Sequence, residues 1–172
     1  MSYWLDSDVL VYAKDNVAPF GYTEFAGFWE LLARNMESGI IKITKFNFRE
    51  VTEGRPTEDD LAKWLKLRKG PGIGVPPSKA VQTFVRKIGD FVYTNPHFYE
   101  RHRVRFSNGA DPWLIAQAAT EGGIVVTRET SNPECHAPKI PDLCAHFGVK
   151  TISLIELMKI LGNPEPPARR RK

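Results

Sequence analysis

Six residues near the start, Tyr3-Trp4-Leu5-Asp6-Ser7-Asp8, constrain the fold more than any other stretch. An apolar run stops abruptly at two carboxylates, and Val9-Leu10-Val11-Tyr12-Ala13 then resumes an apolar pattern. This predicts a short buried strand that delivers Asp6 to its carboxyl end, followed by a helix over 8–15 that Ser7 or Asp8 opens. In open α/β sheets ligands bind outside the carboxyl ends of the strands, so chemistry is expected at Asp6. Asp8 has a simpler expected role as the N-cap of that helix. Asp6 needs more, because a carboxylate abutting a buried strand requires a partner or a metal.

The pattern continues downstream. Phe25, Phe28, Trp29, Leu32 and Met36 recur at helical spacing across 22–38, Gly39 stops that helix, and Ile40-Ile41-Lys42-Ile43 is the second strand. Strand, helix, strand, each short and apolar, begins a parallel βαβ arrangement, and so an α/β fold. Thr44 caps a helix carrying Phe46, Asn47, Glu50 and Val51, and Thr57-Glu58-Asp59-Asp60 starts another that reaches about Leu67. The glycines of 70–77 lack a following Gly-Lys-Ser/Thr, and its prolines lack amide donors, so it is expected to be a plain linker. Ser78 caps a helix to about Tyr93, ended by Asn95-Pro96. A helix over 112–120, a strand over 124–127, a loop over 128–141, a short helix over 142–147, a strand over 149–152 and a closing helix over 153–161 complete the order.

At 172 residues and 42% hydrophobic, the chain suits one domain, placed at 1–162. Residues 163–172 hold Arg169, Arg170, Arg171 and Lys172 against Glu165, which accounts for +3 of the formal +4. With Pro164, Pro166 and Pro167, this basic tail is expected to be disordered. No stretch approaches the roughly 20 apolar residues of a membrane span, no secretory leader is evident, and two cysteines fit a reducing compartment, so the cytoplasm is expected. Cys135-His136, Cys144 and His146 match no common zinc spacing, and the four tryptophans fall on apolar patterns that predict core positions.

Three further acids converge on Asp6. The strand over 124–127 ends at Arg128-Glu129, which gives Glu129 the same kind of strand-end position, in a crevice expected at one edge of the sheet. Glu50 lies about two turns into the helix after the second strand and can lean back over the crevice, although an exposed glutamate paired with Arg49 is the plainer reading. Asp111 precedes Pro112 and is expected to N-cap that helix, whose positive end would help keep the carboxylate ionised. Four carboxylates without a histidine repel one another unless a cation sits among them. All-oxygen ligation suits Mg²⁺ or Mn²⁺. Such an ion can activate a water and neutralise a phosphate, which points to phosphodiester hydrolysis.

Taken together, Leu5-Asp6-Ser7-Asp8-Val9-Leu10, the strand and helix bearing Glu50, Ala110-Asp111-Pro112-Trp113-Leu114-Ile115-Ala116 and Val125-Val126-Thr127-Arg128-Glu129 resemble PIN-domain ribonucleases, best known as VapC-type toxins of toxin–antitoxin pairs. The resemblance implies a three-layer α/β sandwich with a short central parallel sheet. It also implies Mg²⁺- or Mn²⁺-dependent cleavage of RNA, with Asp6, Glu50, Asp111 and Glu129 as the catalytic, metal-holding quartet. Ser7, Asp8, Asn47 and Thr127 become accessory residues. An antitoxin protein is the implied partner, and a homodimer is a further expectation, since related toxins often dimerise. Asp8 stands where the family more often has Asn or Ser, Glu129 where Asp is common, and the segment 57–105 is longer and more helical, as in a divergent branch. Arg101, Arg103, Arg105 and Arg128 are the candidate RNA contacts.

Two other readings fit some of the same residues. Asp6-Ser7-Asp8-Val9 after an apolar strand suits a haloacid-dehalogenase-type phosphatase, with Asp6 as nucleophile and Asp8 as general acid, though the late aspartate pair of that family has only Glu129 in its place. A non-catalytic RNA- or partner-binding module on the same fold is the third.

Overall fold

Because side chains alternate along a strand, the three residues of β1 (Tyr3–Leu5) divide between two cores. Tyr3 and Leu5 face one way and Trp4 the other. The computed structural model describes residues 1–54 and 59–162. The expected helix start at Thr57-Glu58 and the tail over 163–172 lie outside the described residues.

Four strands, β1, β2 (Ile41–Lys42), β3 (Ile124–Val126) and β4 (Lys150–Ile152), form one parallel sheet in the order β2-β1-β3-β4. Among the described residues nine α-helices accompany it: α1 (Ser7–Tyr12), α2 (Ala26–Glu37), α3 (Lys45–Glu53), α4 (Asp60–Lys66), α5 (Lys79–Thr94), α6 (Glu100–Asn108), α7 (Asp111–Glu121), α8 (Ile140–His146) and α9 (Leu154–Gly162). On one face Tyr3, Leu5, Ile124 and Val126 pack with Leu10 of α1, Leu32 and Met36 of α2, Leu61 and Leu65 of α4 and Leu157 of α9. On the other, Trp4 and Val125 pack with Ile88 of α5, Phe106 of α6, Leu114 and Ile115 of α7 and Leu143 of α8. The result is a three-layer α/β sandwich whose central strands are buried on both faces, as parallel sheets require. Leu10 and Leu114 are fully buried, and each contributes on the order of 2 kcal/mol through area removed from water. Among the described residues no helix is long and apolar enough to cross a membrane.

Local chemistry explains most of the boundaries. Thr44, Asp59 and Ser78 accept from the amides of Asn47, Ala62 and Val81 and so start α3, α4 and α5. Gly122 ends α7 in the left-handed region at φ 68°. The first helix is shorter than the 8–15 pattern implies. It stops as an α-helix at Tyr12 and widens into a π-turn over Ala13–Val17, closed by the Ala18 amide on the Ala13 carbonyl, while the Ala18 carbonyl accepts from the Trp29 indole.

The glycine-rich stretch after α4 is not a plain linker. Gly72 and Val75 trade backbone hydrogen bonds with Ile43 and Lys45, so the segment runs parallel beside the residues that follow β2. A Cβ on Gly72 would drive into the backbone of Ile41 and Met36, neither of which can yield. We expect Gly72→Ala to lose about 1–3 kcal/mol through overpacking, lowering the melting temperature by roughly 3–10 °C. Thermal denaturation followed by circular dichroism checks this; an unchanged midpoint would contradict the close approach.

Candidate active site

Of the seven buried polar residues among those described, five (Asp6, Ser7, Thr44, Asn47 and Thr127) gather at the carboxyl end of the sheet. Buried polar groups are costly unless paired, so their concentration marks where the fold gives up stability. The register of β1 against β3 brings the first two together. Leu5 stands opposite Val126, and the Asp6 amide donates to the Val126 carbonyl, so Asp6 and Thr127 leave the sheet side by side. Thr127 Oγ1 donates to Asp6 Oδ2 at 2.9 Å and accepts from the Glu129 amide at 3.1 Å. One hydroxyl thereby ties the first acid to the turn bearing the fourth. The crevice opens over the central strand pair, not at an edge of the sheet as expected.

Asp6 is also the N-cap of α1, accepting from the Asp8 amide, so the capping role expected of Asp8 belongs to Asp6. Strand β1 runs into the helix with no intervening residue but this one, which leaves Asp6 alone in the cap position. Asp8 is exposed and pairs with Arg128 at 2.8 Å, while the Arg128 guanidinium lies 3.7 Å over the Tyr12 ring. The residue that the phosphatase reading needs as a general acid is therefore held by a cation.

Glu50 is held by more than solvent. Thr44 Oγ1 donates to Asn47 Oδ1 at 2.6 Å, Asn47 Nδ2 donates to Ser7 Oγ at 2.9 Å, and Ser7 Oγ donates to Glu50 Oε2 at 2.7 Å. Its other oxygen, Oε1, accepts from the Ala110 amide at 3.3 Å. Arg49, the partner of the plainer reading, pairs with Glu53 instead. Asp111 is the first residue of α7, with Pro112 behind it, and the cap position falls to Ala110. The Asp111 side chain therefore does not cap its helix, as the sequence suggested, and is left available to the crevice.

Sequence reasoning missed two groups on Glu129. Its Oε2 accepts from the Ile140 amide at 2.8 Å, and Lys139 Nζ stands 3.7 Å from Oε1. Pro141 was the signal: Pro in a first helical turn sets the start of α8 near Ile140, where an amide donor is unused by the helix. The basic run lies on α6. Arg103 donates to the Phe98 and Tyr93 carbonyls, Arg101 stacks over Tyr99, and Arg105 is the member whose charge reaches Asp111. Cys144 is buried within α8 and its thiol is pushed up to about 12 by burial, whereas His136 stacks on Tyr99.

A family model described as a domain of unknown function, DUF4411, matches residues 3–163. The chain belongs to that family. A comparison with curated proteins found no match. The match runs from the first residue of β1 to just past α9, so all four acids of this DUF4411 member fall inside it.

Electrostatics couples the four. Burial lifts Asp111 to about 7, and the charges of Asp6, Glu129 and Glu50 add to it, with Arg105 pulling the other way. Burial likewise lifts Asp6 to about 6, against the hydrogen bonds from Thr127 and the Asp8 amide, with the charges of Asp8 and Glu129 pushing further up. Among the described residues no group of three or more His, Cys, Asp or Glu side chains is arranged to hold a metal ion. The donor chemistry suits a hard divalent cation all the same. Every donor is an oxygen, and the mutual repulsion that raises Asp111 is the kind a cation reverses. Mg²⁺ retains several waters and takes one or two carboxylates.

An acid raised above its unfolded value makes the folded state the better proton binder. Its cost is absent below the unfolded value and grows as pH rises through the folded one. Both acids start from 3.8, so stability falls between about pH 4 and pH 7. Without divalent cations, Asp111→Asn is expected to gain on the order of 2 kcal/mol at pH 8, a gain that shrinks toward pH 4. Urea unfolding at the two pH values measures it; a loss at pH 8 would show that the carboxylates do not repel.

Proposed function

We propose that this chain is a metal-dependent endoribonuclease of PIN-domain character that hydrolyses RNA phosphodiester bonds at the carboxyl end of its sheet. The observation that supports the reading best is the coupling of Asp111 to Asp6, Glu129 and Glu50, four carboxylates drawn from four separate segments. Asp6, Glu50, Asp111 and Glu129 would hold Mg²⁺ or Mn²⁺. A bound ion supplies an activated water and neutralises the charge that builds on the phosphate.

The remaining roles belong to the chain itself. Ser7 and Asn47 fix Glu50, and Thr127 fixes Asp6 and the Glu129 turn. Arg105, whose charge acts on Asp111, is the arginine best set to meet a phosphate in the crevice, while Arg128 is paired with Asp8. Arg103 anchors α6 to backbone carbonyls and serves position before binding. In this reading the protein is a cytoplasmic toxin of a toxin–antitoxin pair, kept silent by an antitoxin that covers the acidic crevice, and it pairs with a second copy as related toxins do.

With Mn²⁺ and a single-stranded RNA, Asp6→Asn and Asp111→Asn should each cut cleavage by roughly 100-fold or more, the loss of several kcal/mol of charge stabilisation. Excess chelator should abolish cleavage by the unaltered chain, and Mg²⁺ at pH 8 should raise its melting temperature more than that of Asp111→Asn. Cleavage that persists in chelator, or in both variants, removes the proposal.

A further inference from the structure

Of the arginines near the site, Arg128 is paired with Asp8 and Arg103 is bonded to backbone carbonyls. Arg101 and Arg105 are exposed, and among the described residues neither forms an ion pair with a carboxylate. They stand four residues apart on α6, hence on one face of the helix and about 6 Å apart along its axis. The charge of Arg105 reaches Asp111, so the pair forms a row that leads outward from the crevice toward the start of α6.

An aromatic ring stands at the outer end of that row. Tyr99, the residue before α6, is 49% exposed. Its ring stacks on His136 with centroids 4.3 Å apart, lies nearly parallel to His102 at 6.2 Å, and has the Arg101 guanidinium 5.9 Å from its centre. Backbone bonds hold the stack: the Tyr99 amide donates to the His136 carbonyl, and His136 Nδ1 donates to the His97 carbonyl. The loop carrying His136 leads straight to Lys139 and the Ile140 amide, which hold Glu129. Tyr99 thus joins the segments that bear two of the four acids, Asp111 by way of α6 and Glu129 by way of the loop.

We infer that Tyr99 is a base-stacking platform beside the crevice, with Arg101 and Arg105 as phosphate contacts along the strand that reaches it. Core packing does not account for a ring left half in water, whereas every base offers it a π-face. An acidic peptide would satisfy the two arginines and leave the ring unused. Stacking next to cations that follow the backbone is how single strands are held without a sequence code. Six residues, about 9 Å of helix, separate Tyr99 from Arg105, so the stacked base is anchored away from the bond that is cut. The ligand class rests on the hydrolase reading, but the platform concerns binding, which is measurable without cleavage.

Fluorescence anisotropy with a labelled single-stranded RNA of about ten nucleotides, in excess chelator and at low salt, tests it on the full chain. Tyr99→Ala should weaken binding about tenfold and leave the slope of log affinity against log salt unchanged, while Tyr99→Phe binds as the unaltered chain does. Arg101→Ala should instead reduce that slope by about 0.7. Inorganic polyphosphate, which has no bases, should compete equally well against the unaltered chain and Tyr99→Ala. Equal RNA affinity of those two proteins overturns the inference, as does an equal loss of polyphosphate binding or an absence of RNA binding by the unaltered chain. Cleavage with Mn²⁺ at an unchanged KM in Tyr99→Ala removes the platform and leaves the hydrolase. Tyr99-dependent binding by a chain that never cleaves does the reverse.

Discussion

Everything at this site depends on the parallel pairing of β1 with β3. The backbone bond from the Asp6 amide to the Val126 carbonyl sets a register in which Asp6 and Thr127 emerge together, 121 positions apart in the chain. A slip of one residue would turn every side chain of β1 to the opposite face and exchange the two cores. Trp4, fully buried on one side, and Leu5, fully buried on the other, make such a slip very costly. Packing far from the acids is thus what fixes their meeting point.

The helices are held to that point by polar groups as well as by apolar ones. From Thr44 through Asn47 and Ser7 to Glu50, and from Glu50 to the Ala110 amide, hydrogen bonds join α3, α1 and the start of α7. Such a network is worth having only when every member is satisfied, because an unpaired buried group costs more than a made bond contributes. Here the chain ends on a carboxylate at the mouth of the crevice. Glu50 accepts there from the Ser7 hydroxyl and the Ala110 amide, both buried, so turning it away would strand two donors.

Much of the fold was legible in the chain because local signals and burial agreed. Thr44 and Ser78 cap the helices their positions imply, Asn95-Pro96 ends α5, and each short apolar run is a strand. The acids were legible as strand ends and helix starts, since residue order places them outside the sheet whatever the details. What could not be read was set by contacts across the chain. Asp6, not Asp8, caps α1 because β1 runs straight into the helix. Ala110 displaces Asp111 from the cap of α7, and the Gly72 segment pairs through its backbone with the residues that follow β2, leaving no side-chain pattern to read. The holders of Glu129, Lys139 and the Ile140 amide, belong to a helix whose start the sequence pattern put two residues late.

A single imbalance links these observations. The crevice collects carboxylates while its nearby cations are largely committed: Arg128 to Asp8, Lys139 to Glu129, Arg103 to backbone carbonyls. Arg105 offsets the field on Asp111 without cancelling it, since that carboxyl still rises to about 7. Buried like charges of this kind must be protonated or neutralised from outside.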